Sequence, residues 1–126
     1  MQQLPRPPEG GFDVTVEETD GLVVVTARGD IDIHSAPMFR RALEDARSHT
    51  AALVAVDLAQ VGFMDSTGFG QLAWLVASAP DAPAVVAANC RPIVRNALRL
   101  MGLDQLLRIH AYGEPGAWPG VTDTTS

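Results

Sequence analysis

The residue around which this sequence can do chemistry is Ser66. A short hydroxyl side chain follows an apolar stretch and Asp65, and Gly68 and Gly70 come shortly after it. That order places Ser66 where a strand turns sharply into a helix, so that its side chain is presented at the helix N-terminus. Glycines keep the neighbourhood uncrowded, so another protein's active site can reach the hydroxyl. The unpaired N–H groups and the dipole of the helix tolerate an anion there. The plainer reading of Ser66 is a helix cap, and Asp65 can equally be the N-cap itself, a recognition residue, or both.

Hydrolytic enzymes fit this segment poorly. A serine hydrolase wants Gly-x-Ser-x-Gly at its nucleophile elbow, whereas the chain reads Met64-Asp65-Ser66-Thr67-Gly68. An aspartic protease needs one hydroxyl residue between its aspartate and glycine, and here Ser66 and Thr67 both intervene. All nine basic residues are arginines, which removes a Walker-type lysine and lysine-based covalent catalysis. His34, His49 and His110 are scattered without a metal-ligand spacing. Cys90 is the single cysteine, so it reads as a small buried hydrophobe in a reducing compartment. No cofactor is expected, and if ATP matters, a partner brings it.

The bulk composition narrows the partners. At 126 residues, 47% hydrophobic and 19% charged, the chain has the makings of one globular domain. Its formal charge of -6 argues against nucleic acid, because such binding draws its affinity from neutralising phosphates. No apolar run approaches the roughly 20 residues that cross a bilayer, and the first residues lack the apolar region of a signal peptide. A cytoplasmic location with no membrane association is the expectation.

The elements that must position Ser66 follow from periodicity. Residues 1–11 are rich in proline and glycine and read as a flexible tail. Phe12, Val14 and Val16 alternate with polar residues as in a half-buried strand, and Thr19-Asp20-Gly21 reads as a turn. Residues 22–27 form a nearly continuous β-branched run, expected as a central strand covered on both faces and paired in a hairpin with the first. After a loop at 29–34, Ser35 is expected to cap a helix with Pro37 in its first turn, and Ala36, Phe39, Leu43 and Ala46 recur at helical spacing. A third strand over 52–58 leads to the Ser66 turn and a second helix to about residue 79, ended by Pro80 and Pro83. A fourth strand at 84–88, a third helix at 92–101 stopped by Gly102, and a fifth strand at 106–111 complete the domain. Residues 113–126 read as a loose tail. The sum is an α/β, or mixed α+β, domain over 12–112: a sheet of four to five strands, an antiparallel hairpin followed by parallel β-α-β units, and helices mainly on one face.

Three segments in this frame resemble one family. Phe63-Met64-Asp65-Ser66-Thr67-Gly68-Phe69-Gly70 is similar to the phosphorylation-site motif of bacterial STAS-domain anti-sigma factor antagonists. Gly29-Asp30-Ile31-Asp32 resembles that family's Gly-acidic-apolar-Asp loop, and residues 96–103 resemble its third helix and the Gly-Leu that follows. The three stand in the family's order and span roughly residues 12 to 111, with Phe69 where leucine is commoner. The resemblance implies that Ser66, with Thr67 as a second hydroxyl beside it, receives phosphate from a GHKL-type serine kinase that is also the anti-sigma factor. It implies a partner-binding surface of Asp32, Asp65, Ser66, Thr67, Gly68 and Phe69, although Phe69, like Trp74 on the same helix, reads most simply as a core residue. Further, it implies that the unmodified form captures the anti-sigma factor and frees the sigma factor, and that a PP2C-type phosphatase resets the switch. A STAS scaffold or regulatory subunit of a stress-signalling or transport complex is the alternative. Arg91, Arg95 and Arg99 recur every four residues as a basic stripe on the third helix, read as a solvated face in preference to a phosphate or partner site.

Overall fold

The computed structural model describes residues 11–77 and 84–113. The expected tails at 1–10 and 114–126, and the expected prolines closing the second helix, lie outside the described residues. Strand β1 (Phe12–Thr19) turns into β2 (Leu22–Gly29), followed by helix α1 (Ala36–Ser48), β3 (Leu53–Gln60), α2 (Ser66–Ala77), β4 (Ala84–Cys90), α3 (Pro92–Leu100), a short 3-10 turn (Leu103–Gln105) and β5 (Arg108–Ala111).

The sheet has the order β1-β2-β3-β4-β5, with β1 antiparallel to β2 and every later pair parallel. Asp20 and Gly21 both adopt positive φ, 51° and 80°, which is the two-residue hairpin turn that an Asp-Gly pair favours because its twist matches the strands it joins. Parallel pairing of β2, β3, β4 and β5 follows from the helix inserted before each new strand.

One face of this sheet carries the core. Val23, Val25 and Ala27 of β2, Val54, Val56 and Leu58 of β3, and Val85 and Ala87 of β4 alternate inward. They meet Phe39, Leu43 and Ala46 of α1, Leu72 and Leu75 of α2, and Val94 and Leu98 of α3 in a single cluster. All three helices therefore pack on the same face. Each fully buried Leu or Val contributes about 1.5–3 kcal/mol relative to exposure, so these positions dominate the stability of the sheet-helix contact. Phe12 meets Phe39 edge-on, with ring centroids 6.4 Å apart, tying the edge strand to α1.

The second face of β2 departs from expectation. Leu22, Val24, Thr26 and Arg28 are half-buried, and the three described helices pack on the other face. A β-branched run marks a strand that is flanked on both sides, which β2 is, and by itself does not say that both faces are covered. Smaller departures fall at element ends: β1 and β3 run two residues further than the alternation suggested, and β5 starts at Arg108 because Leu103–Gln105 closes a 3-10 turn first. Cys90 is fully buried, and that burial pushes its thiol up to about 12, where it is unreactive. No helix among the described residues is long and apolar enough to cross a membrane.

Candidate functional site

Two strand-to-helix loops meet beyond the ends of β2 and β3. Ile31 pairs with Met64 as an isolated parallel bridge. The Ile31 N–H donates to Phe63 O at 3.0 Å, and the Asp65 N–H donates to Ile31 O at 3.0 Å. This bridge fastens the Gly29–Asp32 loop to the Phe63–Asp65 loop, so Asp32 and Asp65 are held near each other. Gly29 makes the first loop's path possible: its φ is +102°, and a Cβ there would lie 1.6 Å from the carbonyl oxygen of Gly11.

Asp65 caps α2. Its carboxylate accepts the backbone N–H of Thr67 at 2.9 Å and of Gly68 at 3.3 Å, and the Thr67 hydroxyl donates to the same oxygen. The Thr67 hydroxyl is the main reason the Asp65 pKa lies below its ordinary value, and the two backbone bonds add to it against burial and the repulsion of Asp32. Thus the carboxylate is ionised at neutral pH and satisfies donors that a helix start otherwise leaves unpaired.

Asp32 plays a matching part in the turn that leads into α1. Its carboxylate accepts the N–H of His34 at 2.9 Å and of Ser35 at 3.1 Å, and the Ser35 backbone bond leads the causes that lower its pKa. Ser35, expected to cap α1 with its side chain, occupies the N-cap position without making that bond. Its hydroxyl instead donates to Asp30 O at 2.8 Å and accepts the Asp32 N–H at 2.9 Å. An ionised carboxylate is the stronger acceptor for the free N–H groups, which leaves the serine to brace the loop.

The residues expected to form the partner surface separate into two groups. Ser66 is exposed and its hydroxyl makes no hydrogen bond to a described residue, whereas Thr67 is half-buried with its hydroxyl committed to Asp65. Asp32 and Asp65 line the same patch. Gly68 and Phe69 are inside, not on the surface expected of them. Phe69 is only 5% exposed and belongs to the core, because the third residue after Ser66 turns inward on a helix whose Leu72 faces the sheet. A Cβ on Gly68 would come within 2.5 Å of Met64 Cγ and 2.7 Å of Ile31 Cγ2, so the residue lets α2 approach the bridge.

Sequence reasoning missed the apolar part of this surface. Ile33, Met38 and Phe63 are exposed large hydrophobics on the two loops and the first turn of α1. Ile33 alternates with buried Ile31 in the first loop, and that alternation was the available signal. The patch is therefore an acidic, partly apolar surface surrounding one unengaged hydroxyl. Such a surface suits docking of a protein and modification of the serine.

Known proteins agree with this architecture. An anti-sigma-B factor antagonist of Listeria monocytogenes is 34% identical over 59 residues, 47% of this chain and 51% of that protein, so the chain spans about half the length of that relative. The anti-sigma-F factor antagonist RsfB of Mycobacterium tuberculosis is 26% identical over 96 residues, covering 76% of this chain and 79% of that one. A crystal structure of an anti-sigma factor antagonist from Mycobacterium paratuberculosis superposes with a TM-score of 0.75 at 25% identity, covering 82% of this chain and 89% of that one. The STAS domain matches residues 13–112, almost the whole described region, and the chain belongs to the STAS domain family.

Proposed function

We propose that this protein is an anti-sigma factor antagonist whose Ser66 is a phosphorylation switch. The unmodified form binds an anti-sigma factor that is a GHKL-type serine kinase, and so releases a sigma factor. The kinase transfers the γ-phosphoryl group of its ATP to Ser66 Oγ: the new P–O bond forms as the bond to ADP breaks, and the serine proton passes to a base on the kinase. A PP2C-type phosphatase hydrolyses the phosphoester and restores the hydroxyl. Asp32, Asp65, Ser66 and Thr67, with the exposed Ile33 and Phe63, contact the partner, while Gly68 and Phe69 shape the helix start from inside.

The observation that carries this reading is the difference between adjacent hydroxyls: Ser66 is exposed and unengaged, and Thr67 is held by Asp65. The names of the similar proteins from Listeria and Mycobacterium support it. A phosphate on Ser66 adds ≈ −1.5 to −2 charges beside Asp65 and Asp32. The α2 N-terminus accommodates that charge, so the fold persists and the surface changes. Against a partner carboxylate about 6 Å away, at an effective dielectric of about 20, one added unit charge costs roughly 3 kcal/mol. That is about a hundredfold in affinity.

Incubation with the cognate kinase and ATP, followed by peptide mass spectrometry, tests the assignment. The expected result is one phosphate on Ser66 and none on Ser66→Ala, with Ser66→Asp binding the kinase about a hundredfold more weakly than wild type. A phosphate elsewhere with Ser66 unmodified overturns it.

A further inference from the structure

We infer that the outer face of α3 docks the Ser66 end of a second copy of this chain, giving head-to-tail self-association. Charge is unevenly distributed along the sequence. Residues 91–112 contain four arginines, Arg91, Arg95, Arg99 and Arg108, against the single acid Asp104, in a chain of net charge -6. The arginine segment is also where large apolar side chains stand in water: Ile93 is 61% exposed, Leu100 88%, Met101 54% and Leu106 58%.

Ile93 and Leu100 are two helical turns apart and share the face of α3 opposite buried Val94 and Leu98. Arg99 is exposed next to Leu100 in the sequence, whereas Arg95 is half-buried on the side of the helix away from Ile93. Arg91 is held away from it, bonded through Nε to Ala59 O at 2.6 Å and stacked on Tyr112 at 4.4 Å. The expected solvated arginine face is thus divided: Arg91 is bonded and stacked, Arg95 is half-buried, and Arg99 stands exposed beside the apolar stripe.

The complement of this face is on the same molecule. Apart from Tyr112 under Arg91, the other exposed large hydrophobics among the described residues are Ile33 and Phe63, on the loops that carry Asp30, Asp32 and Asp65, and Met38 in the first turn of α1. One patch is apolar beside Arg99, in a segment with four arginines to one acid; the other is apolar with carboxylates. The far part of the α3 face also lies away from the Ser66 loop: β3 and β4 are parallel, the Ser66 loop follows the end of β3, and α3 starts at the end of β4 with Ile93 and runs back, carrying Leu100 and Met101 away from that end. One copy can therefore offer its α3 face to one neighbour and its acidic face to another. Such a heterologous contact does not close on itself as a two-fold dimer does. It covers Ser66, so associated copies shield that hydroxyl, yet the contact needs only the two faces and not the kinase.

Sedimentation velocity over a concentration series tests the inference without any partner. Wild type is expected to sediment faster with concentration, with species beyond dimer, and to return to monomer as added salt shortens the screening length from about 8 Å toward about 3 Å. Two double variants, Arg99→Glu with Leu100→Ser on α3 and Asp30→Lys with Ile33→Ser on the acidic face, should each be monomeric while keeping the wild-type circular dichroism. Mixed in equal amounts, they should form a one-to-one dimer and nothing longer, because each keeps one intact face. A wild type that stays monomeric throughout, a mixture that does not pair, or a dimer broken by the α3 variant alone overturns the proposal. The last of these would assign the α3 face to a two-fold contact with itself.

Discussion

Two serines stand at the starts of two neighbouring helices, each just after an acidic loop, and the structure uses them in opposite ways. Ser35, ahead of α1, is buried, and its hydroxyl connects Asp30 to Asp32. Ser66, opening α2, is exposed, with no described residue taking its hydroxyl. Asp65 caps α2, and Asp32 caps the turn that leads into α1. What separates a structural serine from a modifiable one here is therefore neither residue type nor place at a helix N-terminus, but whether a carboxylate has freed the hydroxyl and the neighbouring loop has then claimed it.

The largest break in this comparison is expected at the loop that claims Ser35. Gly29→Ala puts a Cβ into the Gly11 backbone at a φ of +102°, where side chains are strained. It should cost about 3 kcal/mol, a fall in melting temperature on the order of 10 °C by calorimetry. Next comes Ser35→Ala, which removes a buried hydroxyl, leaves Asp30 O and the Asp32 N–H without it, and should cost about 1–2 kcal/mol in urea unfolding with an unchanged m-value. A Ser35→Ala protein as stable as wild type would remove the distinction between the two serines.

Much of the frame was legible in the sequence. The Asp20-Gly21 turn, the helical spacing of Phe39 and Leu43, and the strand-helix alternation are local signals, and local signals survive folding when the core agrees with them. The site was legible as a motif but not as a surface. Phe69 reads as a core residue from its place on the helix, as it proves to be, against the surface role the resemblance implies; that Gly68 must lack a side chain depends on the Ile31-Met64 bridge between loops far apart in sequence. Likewise, whether Ser35 or Asp32 caps the turn that leads into α1 is a competition between acceptors that composition does not rank. Exposed Ile33 and Phe63 were hidden by the usual rule that large apolar residues sit inside, a rule that is weakest where partners dock.

A smaller effect separates the two capping carboxylates. Both have pKa values below the ordinary 3.8, but from different donors: a backbone N–H of Ser35 for Asp32, and the side chain of Thr67 for Asp65. Because each folded pKa lies below the unfolded one, each contributes stability that is fully present above about pH 4 and is lost as pH falls through the folded value. Thr67→Val deletes the leading cause at Asp65 only. Carboxyl NMR titration should then show Asp65 moving up toward its ordinary value and Asp32 staying low. Thermal melts of the variant should lose less stability across the acid window than those of wild type. Equal movement of both carboxylates would mean that the joined loops titrate as one unit and that the two helix starts are not independent.

The smallest effect on stability is expected at the residue with the largest proposed role. Ser66→Ala removes a hydroxyl that bonds no described residue, leaves Asp65 as the cap, and places a better helix former in the first turn of α2. Its unfolding free energy should stay within about 0.5 kcal/mol of wild type. Set beside Ser35→Ala, this makes a sharp pair: the same atom deleted at two helix starts, with stability lost at one and retained at the other. A loss at Ser66 comparable to that at Ser35 would mean that its oxygen is already claimed by the fold, and a serine the fold depends on is poorly placed to be modified and restored without disturbing the domain.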